Sequence, residues 1–262
     1  MVYICSGTKI TFQLRYFIKL AYKGTNYHGW QYQPNAITIQ ELINKALSTL
    51  LKSIIDVVGA GRTDAGVHAT EYYAHFDVAE EIKTEELIYK VNAILPNDIV
   101  IYNIFKTSDN LHARFDATSR SYEYRIYLGR NPFEIDTTWQ IIHKKIDIEA
   151  MNEAAKLLFN YENFKCFSRS NTDVRTYNCK IKKAEWKLNE TNLIFYITAD
   201  RFLRNMVRAI IGTLINVGIG KTTLDDFKKI IESKDRSNAG PSVPAKGLFL
   251  TEITYPKNII NE

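Results

Sequence analysis

The 262-residue sequence predicts an α+β protein of two similar halves, each an antiparallel sheet with helices on one face, with a central cleft between them. Three observations lead there. Short apolar or alternating runs of strand length recur along the chain, and longer segments with apolar residues at helical spacing stand between them. The order strand, helix, strand, strand, helix, strand occurs before residue 106 and again after residue 118. No residue-level repeat accompanies it, so the likeness of the halves is one of architecture.

Taken in order, residues 1–14 read as a loosely attached leader without the basic start and apolar core of a signal peptide. Arg15 to Tyr22 alternates, placing Tyr16, Ile18, Leu20 and Tyr22 on one strand face. Thr38 and Glu41 make a capping box for a helix whose stripe is Ile39, Leu42, Ile43, Ala46, Leu47, Leu50 and Leu51. Ile54 to Val58 and Tyr72 to Phe76 read as buried strands around a glycine-punctuated loop, Gly59 to Ala69. Thr84 is expected to cap a second helix that Pro96 stops, and Ile99 to Phe105 closes the N-terminal half, residues 15–110.

The C-terminal half, residues 111–262, opens with His112 to Thr118 and a strand, Arg120 to Leu128. On it Tyr122, Tyr124, Ile126 and Leu128 share a face, as packing residues or, for a tyrosine beside arginines, as a stacking platform. Asp147 caps a helix, strands follow at Lys180 to Leu188 and Leu193 to Ala199, and a helix is predicted from about Phe202 to Val217, ended by Gly218. A short helix near Thr223 and a strand from Gly247 to Tyr255 complete the chain.

Hydrophobic residues make up 45% and charged residues 24%, which fits a soluble globular protein, and Ala209 to Gly220 is too short to cross a bilayer. A cytoplasmic protein without membrane contact is expected. Cys5, Cys166 and Cys179 are odd in number and far apart, which disfavours disulfides and zinc, and no metal constellation emerges. Net charge is +5, and seven Lys/Arg against two acids fall between Lys165 and Lys187, interleaved with Phe164, Phe167, Tyr177 and Trp186. Basic charge mixed with aromatics suits RNA.

Arg62 and Asp64 sit in the glycine loop, which fits neither phosphate-cradling pattern. The simplest reading is an Asx-type turn. Arg201, Arg204 and Arg208 recur at helical spacing, as a solvated edge or as a clamp for phosphates or a carboxylate.

Gly61-Arg62-Thr63-Asp64-Ala65-Gly66-Val67-His68-Ala69 resembles the signature loop of the TruA-type tRNA pseudouridine synthases. The likeness continues in Tyr22 to Gln31, Arg120-Ser121-Tyr122-Glu123-Tyr124, Asn163 to Ser168, Phe202 to Arg208 and Gly247 to Leu250, in the family's order. It covers about residues 15 to 256. One departure is Glu71-Tyr72, where a small residue and a glutamine are common in the family. The resemblance implies that a cofactor-free homodimer isomerises uridine to pseudouridine in the anticodon stem-loop of tRNA, at positions 38 to 40, and that the central cleft is catalytic. It makes Asp64 the catalytic aspartate, Tyr122 the tyrosine stacked on the target base and Arg208 the arginine paired with the aspartate. Arg62 and Leu248 match other pocket residues. His68, Arg201, Arg204, Lys182 and Lys183 are further candidates for substrate contact.

The chemistry suits these residue types. Breaking the N1–C1′ bond develops positive charge on the sugar, which a carboxylate stabilises. A second carboxylate, needed in hydrolysis to handle water, has no task when the base is retained. The target nucleotide must leave its stack, and Arg62 is the candidate to hold or replace it. An RNA-binding module without chemistry would have no use for Asp64, and an enzyme of free nucleosides none for the basic segment.

Overall fold

The computed structural model describes residues 13–142, 145–170 and 174–257. The first half runs β1 (Leu14–Tyr22), α1 (Ile39–Leu51), β2 (Val58–Gly59), β3 (His68–Val78), α2 (Thr84–Ile94) and β4 (Ile99–Lys106). The second runs β5 (Ser119–Leu128), β6 (Trp139–Ile141), α3 (Ile148–Leu157), β7 (Ile181–Asn189), β8 (Asn192–Ala199), α4 (Met206–Gly218), α5 (Leu224–Ser233) and β9 (Leu248–Thr254).

All the described strands join in one sheet in the order β4-β1-β3-β9-β5-β8-β7, with β2 on β3 and β6 on β5. Setting β6 and α5 aside, each half lays its strands fourth, first, third, second: β4-β1-β3-β2 and β9-β5-β8-β7. The two sheets are fused rather than separate. β9 pairs antiparallel with β5 and parallel with β3, where His68 and Ala69 meet Phe249 and Leu250. There is room for β9 because β2 is two residues long and covers β3 only at Ala74 and His75. Every other pairing is antiparallel except β5 with β6.

Helices pack as two groups, α1 with α2 and α3 with α4 and α5, over two cores. The alternation of β5 and β8 explains the second core: Tyr124, Ile126, Leu193, Phe195 and Ile197 turn inward to meet Met151, Ala154 and Ile210. The first core is built on Tyr16, Ile18, Leu20 and Tyr72, and it also takes Leu250, Ile253 and Tyr255 from the end of the chain. Tyr122 packs against both cores, so it marks the seam.

Several elements differ from expectation. Leu14 belongs to β1, paired with Val78, rather than to a leader; residues 1–12 lie outside the described residues. Ile54 is 98% exposed, and of its run only Val58 lies in a strand, which Gly59 of the expected loop completes. Thr84 starts α2 without capping it, whereas Thr38, Asp147 and Thr223 cap α1, α3 and α5 through their side chains. Glu41 completes no capping box, since its carboxylate pairs with Lys45 at 2.6 Å. Helix α4 starts at Met206, four residues late, because Asn205 takes a left-handed φ of 65°.

Candidate active site

Residues 60–67, which link β2 to β3, hang from aromatic side chains of the first half. The Trp30 and Tyr72 rings stack at 4.1 Å, and the Tyr72 hydroxyl donates to the Gly61 carbonyl while accepting from the Gly61 N–H at 3.3 Å. The Tyr22 hydroxyl bonds Thr63 Oγ1 at 2.9 Å. Backbone contacts add the Gly66 N–H to the Tyr27 carbonyl at 3.2 Å and the Trp30 N–H to the Thr63 carbonyl at 3.4 Å. Gly59 is required by contact, since a Cβ there would lie 2.3 Å from the Tyr72 hydroxyl and 2.4 Å from Trp30 Nε1. Gly66 is required by conformation, with φ +78°, whereas a Cβ at Gly61 would meet open space.

This frame leaves the Asp64 side chain free of turn duty. Among the described residues its carboxylate is bonded not by a backbone amide but by Arg208, whose Nη1 donates to Oδ2 at 3.2 Å. The two side chains are 28% and 21% exposed, so the pair is sheltered yet reachable. Arg208 stands in the first turn of α4, and its Nε donates to the Val243 carbonyl at 2.7 Å. The segment around Val243 is itself fixed. Asn205 Nδ2 and Arg236 Nη2 both donate to Ser242 Oγ, at 2.5 and 3.0 Å, and the Gly240 N–H donates to Thr213 Oγ1 at 2.9 Å. One arm of the guanidinium is thus anchored, which aims the other at Asp64.

Tyr122 lies at the seam, its ring T-shaped to that of Phe202 with centroids 5.3 Å apart. Burial pushes its hydroxyl up to about 12; the Arg120 charge opposes the shift and the Asp64 charge adds to it. At neutral pH Tyr122 is a phenol, which fits a stacking platform better than a proton acceptor. Leu248 is buried at the start of β9, opposite Tyr124. Among the described residues no His, Cys, Asp and Glu side chains gather as three or more that could hold a metal ion.

A family model described as tRNA pseudouridine synthase matches residues 19–116 and 154–256. The chain belongs to the tRNA pseudouridine synthase family. It is 51% identical to tRNA pseudouridine synthase A of Bacteroides fragilis over 94% of this chain and 98% of that one. It is 49% identical to the protein of the same name from Parabacteroides distasonis, over 94% and 97%. A more distant relative of that name, from Clostridium acetobutylicum, is 40% identical over 91% and 98%. The protein is therefore an isomerase of the pseudouridine synthase class.

Not every residue expected at the substrate of a tRNA pseudouridine synthase stands ready for one. His68 is buried, its Nδ1 accepting from the Gly24 N–H at 3.0 Å and its Nε2 lying 3.0 and 3.1 Å from the Lys246 and Asp136 carbonyls. With both nitrogens committed inside the protein, it is a scaffold residue. Arg62 is exposed, without a partner among the described residues. Arg201 and Arg204 precede α4 in irregular backbone, so the three arginines do not share a helical face. Lys183 pairs with Glu185 at 2.8 Å and lies over the Tyr196 ring, and Lys182 donates to the Thr118 carbonyl at 3.2 Å. Glu185 also pairs with Lys187 at 3.2 Å, so β7 is less basic than its lysines suggest. Phe164, Phe167 and Trp186 are core residues rather than stacking surfaces, and Asp173 of the same segment lies outside the described residues. Glu71 and Tyr72 likewise serve the scaffold: Glu71 pairs with Lys19 at 3.2 Å, and Tyr72 holds the loop. The loop clamp of Trp30 and Tyr72 and the anchor of Arg208 on Val243 went unread in the sequence. Backbone carbonyls leave no residue signature, though the aromatic density of Tyr22 to Trp30 was a visible hint.

Proposed function

We propose that Asp64 is the catalytic carboxylate with which this synthase isomerises uridine to pseudouridine in the anticodon stem-loop of tRNA, at positions 38 to 40. The observation that carries this reading is the 3.2 Å contact of Arg208 Nη1 with Asp64 Oδ2 beside Tyr122. Heterolysis of the N1–C1′ bond leaves the electron pair on uracil N1 and electron deficiency at C1′. Asp64 meets that deficiency by adding to C1′ or by taking the C2′ proton. The uracil turns above the Tyr122 ring, C5 forms the new bond to C1′, and the sugar regains what it gave up. The C5 proton leaves and N1 gains one, so product and substrate have the same atoms. Arg208 compensates the carboxylate charge in a site sheltered from water.

Arg62, Arg201 and Arg204 complete the proposal as contacts to the flipped nucleotide and its phosphates, and Leu248 as part of the pocket. Lys182 and Lys183 contribute longer-range attraction, which weakens with salt. A cytoplasmic, cofactor-free homodimer follows from the same family resemblance. Tritium release from C5-labelled uridine tests the reading. Asp64→Asn is expected to lower release from tRNA more than about 1,000-fold while binding tRNA within a few-fold of the parent. Wild-type release by that variant, or equal release from free uridine by the parent, would refute it.

A further inference from the structure

Arg120, at the start of β5, holds four backbone carbonyls at once. Its Nη1 donates to Ala117 at 2.9 Å and Asp200 at 3.0 Å, and its Nη2 donates to Arg114 at 2.7 Å and Ala60 at 3.3 Å. These carbonyls come from three separate stretches of chain. Arg114 and Ala117 belong to the connector between the halves, Ala60 opens the loop that carries Asp64, and Asp200 begins the segment that leads to Arg208. Two of them are fixed from the other side as well. The Ala60 N–H donates to the Tyr73 carbonyl at 2.9 Å, and Asp200 Oδ1 accepts from the N–H groups of Lys180 and Arg201, each at 2.7 Å.

No carboxylate pairs with this half-buried guanidinium among the described residues, so its charge is matched only by carbonyl dipoles. Desolvating a cation without a counter-charge is unfavourable, and four charge-assisted bonds in a planar fork offset it. A lysine places its N–H groups on one atom and cannot reach carbonyls on both arms of such a fork.

We infer that Arg120 is a positioning residue for the proposed reaction, setting the distance between the loop that carries Asp64 and the segment that carries Arg208. This inference rests on the reading of Asp64 given above. Ala60 lies four positions before Asp64, and Asp200 lies eight before Arg208. Both chains leave the guanidinium from fixed points and close again where Arg208 Nη1 meets Asp64 Oδ2. Arg120 also lies two residues from Tyr122 on the same strand, so one residue ties three reacting groups to one frame.

The test uses the full chain with tRNA as substrate, and variants Arg120→Lys and Arg120→Ala. Arg120→Lys is expected to lose about 100-fold in kcat, as for reacting groups displaced by about an ångström, with KM for tRNA changed less than about three-fold. Arg120→Ala is expected to fall further and to regain at least about ten-fold in kcat with millimolar guanidinium but not with ammonium, because only the planar fork refills the site. Arg120→Lys within about two-fold of the parent in kcat, a loss confined to KM, or no rescue by guanidinium would overturn the inference. So would a loss that follows the fraction unfolded in a thermal melt. Asp64→Asn, assayed alongside, separates the two readings: if it is inactive while Arg120→Lys is normal, only the role of Arg120 fails, and if it is active, the proposed chemistry fails.

Discussion

Arg208 divides its guanidinium between a carboxylate 144 positions away and the carbonyl of Val243. A partly exposed ion pair with a single contact contributes on the order of 1 kcal/mol to stability, so the fold does not depend on it. Arg208→Lys is accordingly expected to melt within a few degrees of the parent while losing about 100-fold in kcat, since an ammonium cannot hold the carbonyl and aim at Asp64 together. Thermal melts and single-turnover isomerisation check both halves of that statement; unchanged turnover would dissociate Arg208 from the chemistry. Arg62 contrasts with it. It is exposed and unpartnered among the described residues, as the proposed contact with the flipped nucleotide requires.

At the scale of elements, the Asp64 loop is held by β2, β3, the Trp30–Tyr72 stack and the contact of Thr63 with Tyr22, and not by the Asp64 side chain. Gly59→Ala drives a Cβ into that stack and is expected to cost about 1–3 kcal/mol by overpacking, with kcat falling more than the loss of folded protein accounts for. Urea melts and kcat measured on the same samples separate the two effects; intact kcat would show that Asp64 keeps its place without this contact. The glycines and aromatics of this region were legible in the sequence, as were α1, α3 and α5, because caps and apolar stripes are local. The start of α4 was not. Phe202, Leu203, Met206 and Val207 follow helical spacing, yet Asn205 turns left-handed so that the chain leaving β8 can bend onto the α4 axis. Periodicity reports burial and is blind to such a bend. The same limit explains Phe164, Phe167 and Trp186, whose spacing cannot distinguish a packed ring from one offered to a base. That Asp64 and Arg208 meet was legible only through the family motifs, and Arg120 and Val243 act through the backbone, where sequence carries no sign.

Across the whole molecule, three histidines accept backbone N–H groups at Nδ1, His68 and His75 from distant segments and His112 within its own turn. His68 holds Gly24, His75 holds Ala113 at 3.2 Å, and His112 holds Arg114 at 3.1 Å. A protonated imidazole cannot accept, and burial lowers all three, His75 to about 4 from 6.5. Between those values the unfolded chain takes up a proton that native His75 refuses, so this contribution to stability is full above pH 6.5 and is lost as pH falls toward 4. Tm is expected to drop across that window, and less steeply in His75→Gln; equal slopes would remove His75 from the account. The position of β9 has its own bearing on how the protein comes into being. A ribosome that has reached residue 240 has already made Asp64, Tyr122 and Arg208, yet the strand that stitches β3 to β5 is still to come. Since β9 is the last of the described strands in chain order, β3 and β5 can be bridged only after every other described strand has been made.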